Sequence, residues 1–434
     1  MPQNLVDWLT LLEHRHPLAI DLGLDRCREV WQRMGSPVPA AEIYVVAGTN
    51  GKGSTVATIG SLLGALGYQY GSYTTPHLVQ YNERVQLNGQ IVSDQDLIQA
   101  FETVEQARGG VSLSYFEFGT LAAFFLMARS GIDCAVMEVG LGGRLDAVNL
   151  LDADCAVITP IGLDHQDYLG DDLVSIGREK AGIIRPRQDL VCGEKNPPES
   201  IVETARRNDA KLRRLGVDFF VERAGGRIRF RMDKHELFVP LPVLDGPYQL
   251  NNMATAIAAV LVRHPEAAKE PGALVSGLQS VELRGRLERV REQPAIWIDV
   301  GHNPLAARAV AGALTNIREK ENIRQFRAVL AMLADKDAAL AVSELGPVIS
   351  TWYLAGIDGD RGQSGEALAG RLEHILEPGQ YQVHQRVEAA LNAALSDSEK
   401  CDGILVFGSF VTAADAMQSR ILLKSPNQAG KRVT

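Results

Sequence analysis

Gly48-Thr49-Asn50-Gly51-Lys52-Gly53-Ser54 is the segment whose composition most directly implies chemistry. Glycines let a loop wrap tightly enough to aim several backbone N–H groups at one anion. A following helix N-terminus adds a favourable dipole, and a lysine can reach terminal phosphates. The spacing departs from the common GxxxxGK[ST] pattern: Val46 stands where the first glycine would be, and Gly53 separates Lys52 from the Ser54 hydroxyl. Such loops also occur as plain turns, but the apolar run before this one and the small-residue run after it favour an ATP phosphate cradle. A second group is Glu138, followed by Val139-Gly140-Leu141-Gly142-Gly143-Arg144-Leu145-Asp146. A carboxylate at the C-terminal end of a parallel strand points into the crevice where such sheets bind ligands. Its hard oxygens suit Mg²⁺ acting with substrate phosphates. A strand-end acid can equally cap a helix; a phosphate loop on a neighbouring strand tips the reading toward the metal. His165, in Gly162-Leu163-Asp164-His165, and Lys180, in Arg178-Glu179-Lys180-Ala181-Gly182, complete the set. A lone histidine is more often structural and a lone lysine solvated. Lys180, however, is followed by small and apolar residues, and desolvation would lower its pKa and favour covalent chemistry at the amine.

The elements that must position these groups read as α/β. Leu5, Trp8, Leu9 and Leu12 recur at helical spacing over residues 5–16, which end at Pro17. Residues 42–47 read as a strand buried on both faces, with a small-residue helix from about 55 to 66 after the glycine loop. Further strands are expected at 133–139 and 155–159, and the apolar stretch 120–127 fits a core helix. A second series follows at 295–300, 327–332 and 403–408, with Gly301-His302-Asn303-Pro304 turning into an alanine-rich helix. Near-continuous apolar strands alternating with helices indicate parallel sheets covered on both sides. Residues 281–287 read as a connector, giving domains 1–290 and 291–434. The tail 424–434 is polar and basic and is expected to fray.

The composition agrees. A length of 434 residues is about three times the roughly 150-residue single-domain prior. Hydrophobic residues at 46% and charged residues at 22% exclude a disordered or fibrous chain. A net charge of −9 argues against nucleic-acid binding by bulk attraction. The five cysteines are scattered without a CxxC pair, as expected of reduced thiols in the cytoplasm. Met1–Trp8 lacks the basic start and apolar stretch of a signal peptide, and no uncharged run nears the roughly 20 residues of a membrane span. A cytoplasmic protein with no membrane and no nucleic-acid partner is expected.

Together GTNGKGS (48–54), TPHLVQYNERVQLNG (75–89), EVGLGGRLDAVN (138–149), GLDHQDYLG (162–170), REKAGII (178–184) and DVGHNP (299–304) resemble folylpolyglutamate synthase. The resemblance is closest to the bacterial bifunctional type that also has dihydrofolate synthase activity, a branch of the Mur-type ATP-dependent amide ligases. It implies a P-loop ATPase domain and a smaller C-terminal Rossmann-like domain, with the active site between them. It implies that Asn50, Gly51, Lys52, Gly53 and Ser54 hold the ATP phosphates, and that Asn252, Arg286, Asp299 and His302 complete the nucleotide site. Thr75, Glu138 and His165 would ligate Mg²⁺, and Lys180, as a carbamate formed with CO₂, would help hold a second Mg²⁺. Around the pterin it places Asp21, Leu22, Tyr115, Phe116, Glu117, Leu145, Asp146 and Ala147. Stacking on Phe116 and ring N–H donation to Asp146 are physically reasonable.

Three positions depart from the family pattern: Thr75 for serine, Gly301 for alanine, and Val148 for threonine. The implied substrates are dihydropteroate, reduced folates and L-glutamate, joined through an acyl phosphate with Lys52, His165 and Lys180 catalytic, in a monomer. The alternatives are a monofunctional folylpolyglutamate synthase, a cell-wall Mur-type peptide ligase and, in another class, an ATP-dependent switch that makes no bond.

Overall fold

Strand β1 (Glu42–Ala47) turns successive side chains to opposite faces, and each face meets its own apolar cluster. Ile43, Val45 and Ala47 join one; Tyr44 and Val46 join the other. The computed structural model describes residues 2–18, 21–241 and 247–423, so the tail 424–434 lies outside the described residues.

The same division runs through the neighbours of β1. The first sheet also contains β2 (Tyr70–Tyr73), β3 (Val85–Leu87), β4 (Gln90–Ile91), β5 (Cys134–Glu138), β6 (Cys155–Ile158), β7 (Asp189–Cys192) and β8 (Lys211–Arg214). Its order is β4-β3-β2-β5-β1-β6-β7-β8. From β2 to β8 the pairs are parallel, whereas β3 and β4 run antiparallel. On one face Ala135, Met137, Ala156 and Ile158 meet the helices Leu5–Arg15, Asp94–Arg108 and Tyr115–Ser130. On the other, Cys134, Val136, Cys155 and Val157 meet the helices Lys52–Ala65, Pro247–Arg263 and Pro271–Gln279. Each fully buried aliphatic side chain contributes about 1.5–3 kcal/mol, which fixes the register of the central strands. Because β5, β1 and β6 are parallel neighbours, the loops that follow them all leave the same carboxyl edge.

A three-stranded antiparallel sheet, β9 (Phe219–Ala224), β10 (Arg227–Met232) and β11 (His235–Val239), extends the second cluster. Along β10 Ile228, Phe230 and Met232 face inward between outward arginines. The third sheet contains β12 (Glu288–Glu292), β13 (Ala295–Asp299), β14 (Phe326–Leu330), β15 (Ile349–Ala355), β16 (Tyr381–His384) and β17 (Gly403–Phe407). Its order is β12-β13-β17-β14-β15-β16, parallel except for β12, around a separate cluster.

The chain divides into two compact units, the second beginning at Leu283. Residue 290, the expected division, falls inside β12, whose ladder to β13 makes it part of the third sheet. A charged sequence, ERVRE, does not read as a strand because it forms an edge.

Candidate active site

β1 delivers the chain into Gly48–Gly51, and the next helix begins at Lys52, three residues earlier than its apolar pattern suggests. Gly51 caps that helix with φ +84°, a left-handed conformation costly to any side chain. A Cβ there would also lie 2.3 Å from Asn252 Oδ1, so the Pro247–Arg263 helix holds Asn252 hard against the loop. The loop is tied to the turn after β6: Thr49 N donates to Pro160 O (3.0 Å), and Thr49 Oγ1 donates to Gly162 O (3.0 Å). Lys52 Nζ folds back to donate to Gly48 O and Thr49 O, both at 3.2 Å.

Three buried polar atoms around this loop lack a hydrogen-bond partner: Ser54 Oγ, Thr55 Oγ1 and Asn252 Oδ1. Leaving such a group buried and unmatched costs about 1–3 kcal/mol. Three such groups at one glycine loop, two in the first turn of the next helix and one against Gly51, fit a site for a polar ligand, and hydroxyls there suit phosphate and its cation.

Glu138 ends β5 with only 4% of its surface exposed, and it accepts from Thr75 N at 3.2 Å. These two metal-site candidates are therefore adjacent. His165 starts a short helix with φ +52°, and its backbone N donates to Asp164 Oδ1. Lys180 is buried on the helix Leu173–Ala181, and its Nζ donates to Gly48 O at 2.9 Å. Burial, then the nearby charge of Lys52, lowers its pKa to about 7. Its position is set by an interlock. A Cβ on Gly143 would meet Glu179 O at 2.8 Å, Arg144 N donates to that same oxygen at 2.8 Å, and Arg144 pairs with the Glu179 carboxylate at 3.0 Å. Asn149 Nδ2 donates to Arg144 O and Gly182 O, both at 3.1 Å. The EVGLGGRLDAVN and REKAGII segments thus form one unit.

The pterin candidates form two groups. Phe116 and Asp146 both border Gly140, where a Cβ would meet the Phe116 ring at 2.7 Å and Asp146 Oδ2 at 3.3 Å. Asp146 is buried, its oxygens accept from Leu141 N and Val148 N at 2.9 Å, and burial raises its pKa to about 7. The carboxyl keeps acceptor capacity for a ligand N–H. Glu117 accepts from Ser114 N as part of a capping box, and Arg26 joins it (3.1 Å) to Asp21 (2.6 Å). Leu22, Tyr115 and Leu145 are half-buried, while the Ala147 and Val148 side chains are buried, so threonine's replacement by Val148 presents a core methyl rather than a lost contact.

Arg84, within the 75–89 segment, is a further site residue that no spacing in the sequence marks. It is buried, donates from Nε to His77 Nδ1 (3.0 Å) and lies 4.8 Å and 5.3 Å from the ring centres of Tyr81 and Tyr115. Among the described residues no carboxylate pairs with it. Thr55 was missed as well, since a hydroxyl inside a helix gives no sequence signal.

On the second unit Asp299 ends β13, accepting from Gly301 N (2.7 Å) and Leu287 N (2.8 Å). Burial raises its pKa, while Arg286 and then His302 act against the shift, so these three candidates are neighbours. Arg286 also lies over Phe410 at 5.3 Å. A Cβ on Gly301 would meet the Phe407 ring at 2.6 Å and Ala306 Cβ at 2.9 Å, which explains glycine at this position.

Residues 46–260 match the Mur ligase middle domain, and residues 285–410 the Mur ligase glutamate ligase domain. The chain is 41% identical over 416 residues to the dihydrofolate synthase/folylpolyglutamate synthase of Escherichia coli (strain K12), covering 95% of each chain. It is 32% identical over 450 residues to that of Mycobacterium tuberculosis (strain ATCC 25618 / H37Rv), covering 94% of this chain and 92% of the relative. Among solved structures, E. coli FolC in complex with DHPP and ADP superposes with TM-score 0.89 at 40% identity, covering 96% of this chain and 98% of that one. The bifunctional enzyme from Yersinia pestis, complexed with AMPPNP and Mn ion, gives TM-score 0.87 at 40% identity over the same shares.

Proposed function

The chain belongs to the dihydrofolate synthase/folylpolyglutamate synthase family of Mur ligases, and we propose that the constellation around Gly48 carries that family's ATP-dependent ligation. The enzyme joins L-glutamate in amide linkage to dihydropteroate and to the glutamate tail of reduced folates. The substrate carboxylate attacks the γ-phosphorus of ATP, giving an acyl phosphate and ADP. The α-amine of L-glutamate then attacks the acyl carbon, and phosphate leaves.

Asn50, Gly51, Lys52, Gly53 and Ser54 bind and orient the phosphates, and catalysis is mainly positioning and charge stabilisation. The observation that carries this reading is the set of unmatched buried atoms at the glycine loop: Ser54 and Thr55 in the first turn of the helix that follows it, and Asn252 against Gly51. Lys52 leaves the two carbonyls it now contacts to pair with the terminal phosphates. Thr75, Glu138 and His165 would hold a divalent cation, and Lys180, as a carbamate, a second. Bound Mg²⁺ supplies positive charge against the phosphate oxygens. The carbamate is supported by the chemistry of Lys180: with a pKa of about 7, much of the amine is neutral at physiological pH, and the neutral amine is the form that adds CO₂. Arg286, Asp299 and His302 are assigned to the nucleotide from the second unit. Phe116 and Asp146 are assigned to the pterin, as stacking face and N–H acceptor; Leu145 and Ala147 shape that loop, and Asp21, Leu22, Tyr115 and Glu117 border it.

We assign the enzyme to the cytoplasm as a monomer. No described helix is long and apolar enough to cross a membrane, and Cys27, Cys134, Cys155 and Cys192 are buried free thiols.

The test is phosphate release with dihydropteroate and tetrahydrofolate offered separately, each with and without L-glutamate. Release requiring L-glutamate with either acceptor is expected. Release with neither acceptor overturns the folate assignment, and release with tetrahydrofolate alone leaves only the elongating activity. Lys180→Ala is expected to lose turnover that small carboxylates partly restore; wild-type turnover would remove the carbamate.

A further inference from the structure

At the amino edge of the first sheet, away from the phosphate loop, Glu42 begins β1 and Cys134 begins β5, paired directly across the ladder. His264 follows the Pro247–Arg263 helix and completes the group: one ligand atom from each of the three residues lies within 4.8 Å of the others. Cys134 and His264 are buried and Glu42 partly so. His264 Nε2 is buried without a well-formed hydrogen bond, yet lies 3.2 Å from Glu42 Oε1. That separation matches the roughly 3.3 Å between nitrogen and oxygen ligands on a tetrahedral ion with bonds of about 2.0–2.1 Å.

We propose that Glu42, Cys134 and His264 form a site for a thiophilic divalent cation of the Zn²⁺ type. Thiolate, imidazole and carboxylate are the donors such an ion selects, unlike the all-oxygen donors that suit Mg²⁺. Its surroundings agree. Glu266 Oε1 lies 3.5 Å from His264 Nδ1, on the side where a ligating imidazole ordinarily meets an orienting carboxylate. The Tyr68 ring packs on the imidazole at 4.6 Å. Arg263 is the competing cation, but its nearest carboxylate is Asp189 at 3.0 Å rather than Glu42 at 3.5 Å. The ion would join two central strands to the end of a helix, a structural role.

The test loads the full-length protein with one equivalent of Zn²⁺, or of Co²⁺ as a spectroscopic substitute, with excess Mg²⁺ and ADP present. After desalting, about one zinc per chain is expected. The Co²⁺ form should show a thiolate charge-transfer band, which no oxygen-donor site produces. Cys134→Ser and His264→Gln should each abolish the band. Glu266→Gln, on an exposed side chain, should weaken Zn²⁺ binding about 10–100-fold without unfolding the protein. Absence of retained zinc in the wild type overturns the site, as does a band that survives in folded His264→Gln protein.

Discussion

Lys52 and Lys180 both donate to the carbonyl oxygen of Gly48, at 3.2 Å and 2.9 Å. Two ammonium groups on one acceptor repel, and this is why Lys52 ranks after burial among the causes of the low Lys180 pKa. Lys52→Ala should therefore reduce ligation at least about 100-fold, the scale of losing one well-aimed charge-stabilising donor. Phosphate release checks it, and near wild-type turnover would remove the phosphate-cradle assignment. Asp146 presents the opposite case, a carboxyl raised by burial from 3.8 to about 7. The folded protein holds a proton that the unfolded chain gives up, so the contribution of Asp146 to stability is largest below about pH 4 and is lost as pH rises through about 7. The span is roughly 4 kcal/mol at most. Urea melts across this range should show the stability of wild-type protein relative to Asp146→Asn declining as pH rises; a constant difference would mean that Asp146 is ionised throughout.

At the scale of elements, the proposed role of Lys180 depends on the interlock of the 138–149 and 178–184 segments. Gly143→Ala would place a methyl group 2.8 Å from Glu179 O and 3.1 Å from Lys180 Cα. Displacement of the Lys180 backbone by a fraction of an ångström should lower kcat at least about tenfold. ADP affinity, which rests mainly on the loop's own amides and Lys52, should fall far less than kcat; an equal loss of both would show a general folding defect. β1, β5, β6 and β17 were legible because strands buried on both faces read as unbroken apolar runs. The β9–β11 sheet was not, since arginine and glutamate alternate with its apolar positions and resemble a solvated segment. β2, four residues containing a glycine, carries too little pattern to announce itself. The site was legible where motifs lie in one segment. Asn252 came through family resemblance alone: nothing within YQLNNM indicates that a loop two hundred positions earlier will touch it. Arg84 was passed over because a cation held by aromatic rings rather than a carboxylate has no signature in spacing.

For the molecule as a whole, none of the three apolar clusters spans the division at Leu283. Each unit buries its own core, so a fragment ending at Glu282 should fold alone. It keeps the glycine loop, Asn252, Glu138 and Lys180 but lacks Asp299 and His302. It should bind ADP by calorimetry, more weakly than the full chain, and release no phosphate with any folate. Failure to bind ADP while folded by circular dichroism would show that the loop is not sufficient for nucleotide affinity. The acidic net charge of −9 does not gather anionic substrates; the positive field is local, from loop amides, Lys52 and bound cations.

The Pro247–Arg263 helix and β1 run antiparallel, with Asn252 beside Gly51 at one end and Arg263 beside Glu42 at the other. Eleven residues of helix rise about 16 Å and close about three turns, so both side chains leave the same face. On the other side the chain covers the interval from Glu42 to Gly51 with β1, about 16 Å from Glu42 to Ala47, and then the glycine loop. The helix therefore bridges an interval fixed by the strand and its loop, and the consequence concerns length rather than residue identity. Deleting one residue between 253 and 262 would rotate Asn252 by about 100° relative to Arg263, so that only one end could stay in place. Single-residue deletions there should abolish ligation even where substitutions are tolerated, whereas an insertion at the exposed Gly225–Gly226 turn should leave it intact. A deletion scan read out by phosphate release would reveal this, and equal tolerance at both places would show that helix and strand need not keep step.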